Sequence, residues 1–286
     1  MTQTGTFDDI LEELVEKSRE ANPPAPDDYV NEKGLLVCGK CGNGKEAFVP
    51  FPGGRLKKVP VACRCKQEAY EKEQEELRRM EVQRRIREVR RRGIGDTICQ
   101  AWTFENDKGY NTRQMSICRR YVEHWEEMRK RNVGLLFYGD VGMGKSYAAY
   151  CIANALIDRG IFVLATSLPK LLSSIQSNFG DQSGVLKDIE EAELVVIDDL
   201  GVERESSFGQ EKIFEVMDTR IKSGKPLIVT TNLKPQDFKE GGVACRRVYD
   251  RILGVCHPIG FLGKSLRIKE AKERREAVAR ILEGEV

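Results

Sequence analysis

Between residues 111 and 261, short unbroken apolar runs alternate with longer amphipathic stretches. The runs are Val133–Tyr138, Ile161–Thr166, Leu194–Ile197, Leu227–Thr231 and a weaker Val255–Phe261. Each has the length of a strand, and an unbroken apolar run suits a strand covered on both faces. Tyr147–Asp158, Pro169–Phe179 and Glu211–Lys222 separate them as helices, and Met115, Cys118, Val122 and Trp125 line one face of another. Strands divided by helices predict an α/β fold built on a parallel five-stranded sheet.

The first 95 residues read differently. Over residues 6 to 18, Phe7, Ile10, Leu11, Leu14 and Val15 share one helical face, with Thr6 and Asp9 spaced as a capping box. Asn22-Pro23-Pro24 stops that helix. Next comes a Gly/Pro-rich segment in which Phe48, Val49 and Phe51 precede Pro52-Gly53-Gly54 and Val59 and Val61 come after it, the pattern of a hairpin. Residues 66–92 then run helical without Gly or Pro, carrying ten basic and seven acidic side chains. Only a thin apolar stripe runs through Tyr70, Leu77, Met80, Ile86 and Val89, so this helix bridges solvent or docks on a partner. Six of its arginines fall between Arg84 and Arg92. Gly93 and Gly95 break the pattern, which divides the chain into residues 1–95 and 96–286.

Composition narrows the class. Hydrophobic residues make up 40% and charged residues 32%, which excludes a wholly disordered chain. No apolar run approaches a membrane span, and the amino terminus is acidic rather than basic-then-apolar, so the expected location is the cytoplasm, with no membrane partner. The net charge of +2 says nothing by itself about nucleic acid. Nine cysteines without a secretory leader favour a metal site over a disulfide framework. Cys99, Cys118, Cys151, Cys245 and Cys256 are scattered and read as small apolar side chains in the core.

The other four are clustered. Cys38-x-x-Cys41 and Cys63-x-Cys65 stand 21 residues apart and suit a four-thiolate Zn²⁺ site, with Lys40, Lys45, Arg64 and Lys66 offsetting the local charge. The glycine after Cys41 permits the tight turn that aims N–H groups at sulfur. The alternative is four buried or redox-active cysteines. So small a segment has no core of its own, and metal binding would largely be its folding energy. Phe48 and Phe51 could stack on bases, but packing is the expectation for both.

Gly139-Asp140-Val141-Gly142-Met143-Gly144-Lys145-Ser146 fits the phosphate-binding pattern G-x-x-x-x-G-K-[ST], with a strand before it and a helix after it. The glycines let N–H groups curl around phosphate oxygens at a helix amino terminus, whose dipole favours an anion. Lys145 is expected to reach the β- and γ-phosphates of ATP, and Ser146 to hold Mg²⁺. Leu194-Val-Val-Ile-Asp198-Asp199 ends a buried strand in two carboxylates. Asp198 is placed at the Mg²⁺ shell and Asp199 where it orients a water on the γ-phosphate.

Together with three stretches further along the chain, these motifs resemble AAA+ ATPases of the DnaC/DnaI helicase-loader and IstB group, over most of residues 100–270. The matching stretches are Gly139–Ser146, Val195-Val-Ile-Asp-Asp-Leu-Gly201, Pro226-Leu-Ile-Val-Thr-Thr-Asn232-Leu233, Arg247-Val-Tyr-Asp-Arg251 and Ser265-Leu-Arg267. The resemblance implies that Asn232 senses the γ-phosphate and that Arg251 is an arginine finger for a neighbouring subunit. It also implies that Arg267 is a second nucleotide sensor and Arg247 an interface arginine. The commonest acidic pair of such proteins is Asp-Glu, and the shorter Asp199 implies slow turnover. Only 19 residues come after Arg267, which implies a reduced lid.

The resemblance further implies an ATP-switched homo-oligomer that loads a replicative hexameric DNA helicase onto single-stranded DNA during replication initiation, with its amino-terminal region docking on the helicase. Contact with DNA is expected near Pro169 to Lys187, which carries Lys170, Phe179 and Gln182 at a Gly180–Gly184 loop; Phe179 could stack on a base, but packing at the end of a helix is the commoner role. Two alternatives stand beside this reading: a transposition helper ATPase of the IstB kind, and a non-hydrolysing zinc adaptor.

Overall fold

The computed structural model of the chain describes residues 7–20, 22–51, 54–177, 182–201, 207–234, 237, 243–263 and 265–283. The chain divides into two compact units, residues 1–81 and 82–286. The first holds helix α1 (Phe7–Glu20), the antiparallel pair β1 (Tyr29–Val30) and β2 (Leu36–Val37), and the hairpin β3 (Glu46–Pro50) and β4 (Leu56–Pro60). Among its described side chains the buried apolar ones are Val37, Cys38 and Cys63, two of the three being cysteines. Phe48 departs from the sequence expectation and is 48% exposed. A two-stranded ribbon has too little second layer to cover both faces. Thr6, the proposed cap of α1, lies outside the described residues.

Helix α2 (Arg64–Gly93) carries the charged stretch, and its apolar stripe splits in two. Tyr70, Leu77 and Met80 are exposed, whereas Ile86 and Val89 pack on the core of the second unit. Arg90 anchors this end on Asn154 Oδ1 at 2.5 Å and on Asp158. Arg92 pairs with Asp188 and Glu191 and lies 4.4 Å over the Phe162 ring.

The second unit continues through α3 (Thr97–Gln100), α4 (Thr112–Glu123), α5 (Trp125–Lys130), β5 (Gly134–Gly139), α6 (Lys145–Ile157), β6 (Val163–Ser167), α7 (Leu168–Ser177), α8 (Gln182–Glu191) and β7 (Leu194–Leu200). It ends with α9 (Ser207–Lys222), β8 (Leu227–Thr231), α10 (Val243–Val255), β9 (Cys256–Phe261) and α11 (Leu266–Glu283). The helix expected to run through Trp125 breaks at His124, which ends α4 and starts α5.

The five predicted strands form one parallel sheet in the order β6-β7-β8-β5-β9. Alternate residues bury on opposite faces. Leu135, Phe137, Leu194 and Val196 join α4 and α6 on one side, and Leu136, Val195 and Ile197 join α7, α9 and α10 on the other. Cys99, Cys118, Cys151 and Cys256 are buried, as their reading as core side chains requires. Burial pushes the Cys256 thiol up to about 12, which leaves it inert. Of the segment expected to meet DNA, Phe179 and Gly180 lie outside the described residues, and Lys170 pairs with Asp96 at 3.2 Å. No described helix is long and apolar enough to cross a membrane.

Candidate functional site

Strands β5, β7 and β8 end side by side, and open α/β sheets bind their ligands beyond the carboxyl ends of their strands. A cleft of ≈ 490 Å³ opens there. Residues 141–146 line it, together with Asp199, Asn232 and Arg267, so one concavity gathers residues spread over more than a hundred positions.

The loop leaving β5 needs its glycines. Gly142 adopts φ +78°, and a Cβ there would stand 2.3 Å from Ser265 Oγ. Gly139 lies so close to β9 that a Cβ would meet the Phe261 carbonyl oxygen at 2.1 Å. The loop is also tied from outside: Leu266 N–H donates to Gly142 O at 2.9 Å, and the Asn111 amide donates to Met143 O at 2.8 Å. Gly144 precedes α6 in a left-handed conformation with no side-chain cap. The first N–H groups of α6 therefore lack a side-chain acceptor and suit an anion.

Lys145 is 5% exposed, and its ammonium donates to Gly139 O at 2.9 Å, Asp140 O at 2.7 Å and Asn232 Oδ1 at 2.9 Å. Burial holds its pKa below the usual lysine value, opposed by the nearby Asp199 and Asp198 carboxylates. A buried ammonium hydrogen-bonded to neutral oxygens can exchange them for an anionic ligand. Asp140 itself is exposed and pairs with Lys234 at 3.4 Å.

Asp198 is buried beneath the cleft at the end of β7. Burial raises its pKa, and hydrogen bonds from the Thr230 and Ser146 hydroxyls oppose that rise. Ser146 and Asp198 thus touch, as two residues of one Mg²⁺ shell would. Asp199 comes next with φ +58°, a left-handed conformation costing roughly 1–2 kcal/mol that Asp tolerates better than most residues. The β7–β8 register shifts between Ile197 and Leu200, at this point.

Arg267, in the first turn of α11, is exposed on the cleft wall. Arg251 is elsewhere. Its guanidinium pairs with Asp218 and lies 4.5 Å over the Phe214 ring, and it is not among the residues lining the cleft. Arg247, one turn earlier on α10, is exposed.

Other lining residues went unmarked in the sequence. Trp102, Tyr110 and Asn111 come from the segment before α4. Lys269 stands 4.5 Å over the Tyr110 ring, and Lys108 pairs with Glu270 at 2.8 Å, which joins this segment to α11 beside the cleft. Trp102 packs edge-on against Tyr150 at 5.6 Å. The available signal was three aromatic residues, Trp102, Phe104 and Tyr110, with no periodicity.

In the first unit, Cys38, Cys41, Cys63 and Cys65 bring their sulfur atoms within 4.8 Å of one another. Cys38–Cys65 and Cys63–Cys65 stand at 3.6 and 3.3 Å. Those gaps are too long for disulfides and close to the edge of about 3.8 Å that a tetrahedral ZnS₄ unit has. Gly42, at φ +69°, makes the expected turn and donates its N–H to Cys38 O at 2.8 Å. Backbone N–H groups of Cys65 and Asn43 bring the Cys41 thiol down to about 6, while hydrogen bonding with Cys63, Cys38 and Cys41 pushes Cys65 up to about 12. Four crowded thiols cannot all ionise unaided, and a soft divalent cation is the charge that lets them. The set fits zinc.

Among known proteins, the chain is similar to the replicative helicase loader DnaC of Escherichia coli (strain K12), 28% identical over 194 residues that cover 64% of this chain and 78% of that protein. The solved DnaC helicase loader superposes with a TM-score of 0.47 at 22% identity, over 54% of this chain and 92% of that one. The solved DnaI superposes with a TM-score of 0.46 at 24% identity, over 63% and 92%. Residues 69–274, most of the chain and all of the cleft, match the IstB-like ATP binding protein family. The chain belongs to that family.

Proposed function

We propose that the chain is an ATP-dependent loader that places a replicative DNA helicase on single-stranded DNA, working as an ATP-switched homo-oligomer. The observation that carries this reading is the cleft, in which Lys145, Asp199, Asn232 and Arg267 converge on an uncapped helix start. Similarity to a protein named as a replicative helicase loader supports the choice of cargo.

The chemistry is set by the residues. Backbone N–H groups of 142–146 and the Lys145 ammonium bind the β- and γ-phosphates, and Lys145 exchanges its contacts with Gly139 O and Asp140 O for phosphate oxygens. Ser146 and Asp198 would hold Mg²⁺, which when bound would offset the negative charge of the triphosphate. Asp199 orients the attacking water. Asn232, now an acceptor for Lys145, is free to turn its amide toward the γ-phosphate once that lysine moves. Arg267 reads the nucleotide from α11. Arg251 leaves Asp218 to complete the site of a neighbouring subunit, which makes hydrolysis depend on assembly.

Residues 1–95 serve as the helicase-docking region, folded around zinc at Cys38, Cys41, Cys63 and Cys65, and residues 96–286 as the ATPase. The test is co-purification of the full chain with candidate replicative helicases and, in parallel, with a transposase, with and without ATP. Capture of a helicase that responds to ATP supports the loader. ATP-dependent capture of the transposase instead identifies a transposition helper. Phosphate release at background with DNA, helicase and Mg²⁺ all present identifies a non-hydrolysing adaptor.

A further inference from the structure

Two consecutive carboxylates on a regular strand point to opposite faces of the sheet. Here Asp198 is buried at the sheet end while Asp199, the next residue, lines the cleft. The backbone makes this possible by leaving the strand conformation at Asp199 and by slipping register against β8 between Ile197 and Leu200. Such an irregularity re-aims a side chain, and something must hold it.

One buried side chain on β8 touches both acids. The Thr230 hydroxyl donates to Asp198 Oδ1 at 2.5 Å and accepts the Asp199 N–H at 3.0 Å. Thr230 is fully buried, so no water competes for either bond. A hydroxyl has a single proton. With an Oγ1 lone pair occupied by the Asp199 N–H, that proton is directed to Asp198. The neighbouring Thr231 does a separate task, donating to Leu200 O at 2.7 Å and accepting the Leu233 N–H at 3.1 Å on the far side of the irregularity.

The geometry points to Thr230 as a positioning residue for the acidic pair: its hydroxyl fixes the rotation of the Asp198 carboxylate and pins the turn that brings Asp199 into the cleft. This rests on the proposed reading of the cleft as an ATP·Mg²⁺ site. Thr230 touches neither nucleotide nor cation and acts through the two acids. Its side chain is therefore required for metal-linked steps and not for nucleotide binding as such, which Lys145 and the loop N–H groups carry.

The experiment compares the full chain with Thr230→Ser, Thr230→Val and Thr230→Ala. ATP affinity is measured by calorimetry in EDTA and in saturating Mg²⁺, and kcat and the half-saturating Mg²⁺ concentration are taken from phosphate release. Loss of a hydrogen bond to a charged group predicts about a tenfold effect. Thr230→Val and Thr230→Ala should bind ATP in EDTA as the parent does. Both should lose about tenfold of the Mg²⁺-dependent tightening and about tenfold in kcat. Thr230→Ser, which keeps the hydroxyl, should match the parent on every measure.

An order set by volume, with Val near the parent and Ser impaired alongside Ala, overturns the proposal. So does a Val variant with unchanged Mg²⁺ dependence. Circular dichroism confirms folding, and if Val does not fold, the Ala and Ser pair decides. A parent chain that binds ATP with Mg²⁺ linkage but does not hydrolyse it ends the ATPase reading while the linkage still reads Thr230. A parent without Mg²⁺ linkage overturns both.

Discussion

In the proposed reading nucleotide binding turns on Lys145, whose buried ammonium is hydrogen-bonded to neutral oxygens that phosphate can replace. Lys145→Ala should weaken ATP binding by about tenfold or more, as expected for a lost bond to a charged group, in a titration with labelled ATP. Arg251→Ala should behave oppositely. Its guanidinium is spent on Asp218 and Phe214 rather than on the cleft of its own chain, so ATP affinity should hold. Hydrolysis stimulated by assembly should fall by about 10³ in a phosphate-release assay. An equal loss of binding and turnover would argue that Arg251 serves its own chain's site. At this scale the phosphate loop was legible in the sequence because its chemistry is mostly backbone and its residues are contiguous. Thr230, Asn111 and Trp102 were not, since each acts through a register or a fold contact that spacing does not encode.

Among the elements, the strands and most helices were legible from apolar runs and their separation. The break at His124 was not, because the apolar face of Met115, Cys118, Val122 and Trp125 is spaced as one helix would space it. Arg220 is a second case. At the end of amphipathic α9 it reads as a solvated charge, yet it is fully buried. Its guanidinium donates to Ile189 O at 2.9 Å, Ala192 O at 2.7 Å, Glu193 O at 3.0 Å and Pro226 O at 2.6 Å. These carbonyls lie at the end of α8 and in the turns entering β7 and β8, where a helix carboxyl terminus favours a cation. Burial lowers the Arg220 pKa to about 10, still far above neutrality, so the charge persists. Arg220→Ala removes the guanidinium donor from these four carbonyls and should cost about 3 kcal/mol of unfolding free energy in urea. A loss within about 0.5 kcal/mol, typical of surface substitutions, would contradict the clamp.

For the whole molecule, the two units rest on different forces. Residues 82–286 enclose a large apolar core on both faces of a sheet, whereas among the described side chains of residues 1–81 only Val37, Cys38 and Cys63 are buried apolar ones. Metal analysis of protein purified without chelator should give one zinc per chain, lost on replacing Cys38 and Cys41 by Ser. That loss should unfold the first unit and leave ATP affinity unchanged, since every cleft residue belongs to the second. Protein without zinc would retire the metal claim. In the sequence, composition sets residues 1–95 apart, but the closeness of four thiols, two of them in an unusual Cys-x-Cys, needs the fold. The most direct test of nucleotide binding in the cleft is a crystal structure of the full chain with Mg²⁺ and a non-hydrolysable ATP analogue. The β- and γ-phosphates should lie inside residues 139–146, with the Lys145 ammonium moved from Gly139 O and Asp140 O onto phosphate. A triphosphate bound elsewhere, with Lys145 still on those two carbonyls, would contradict it.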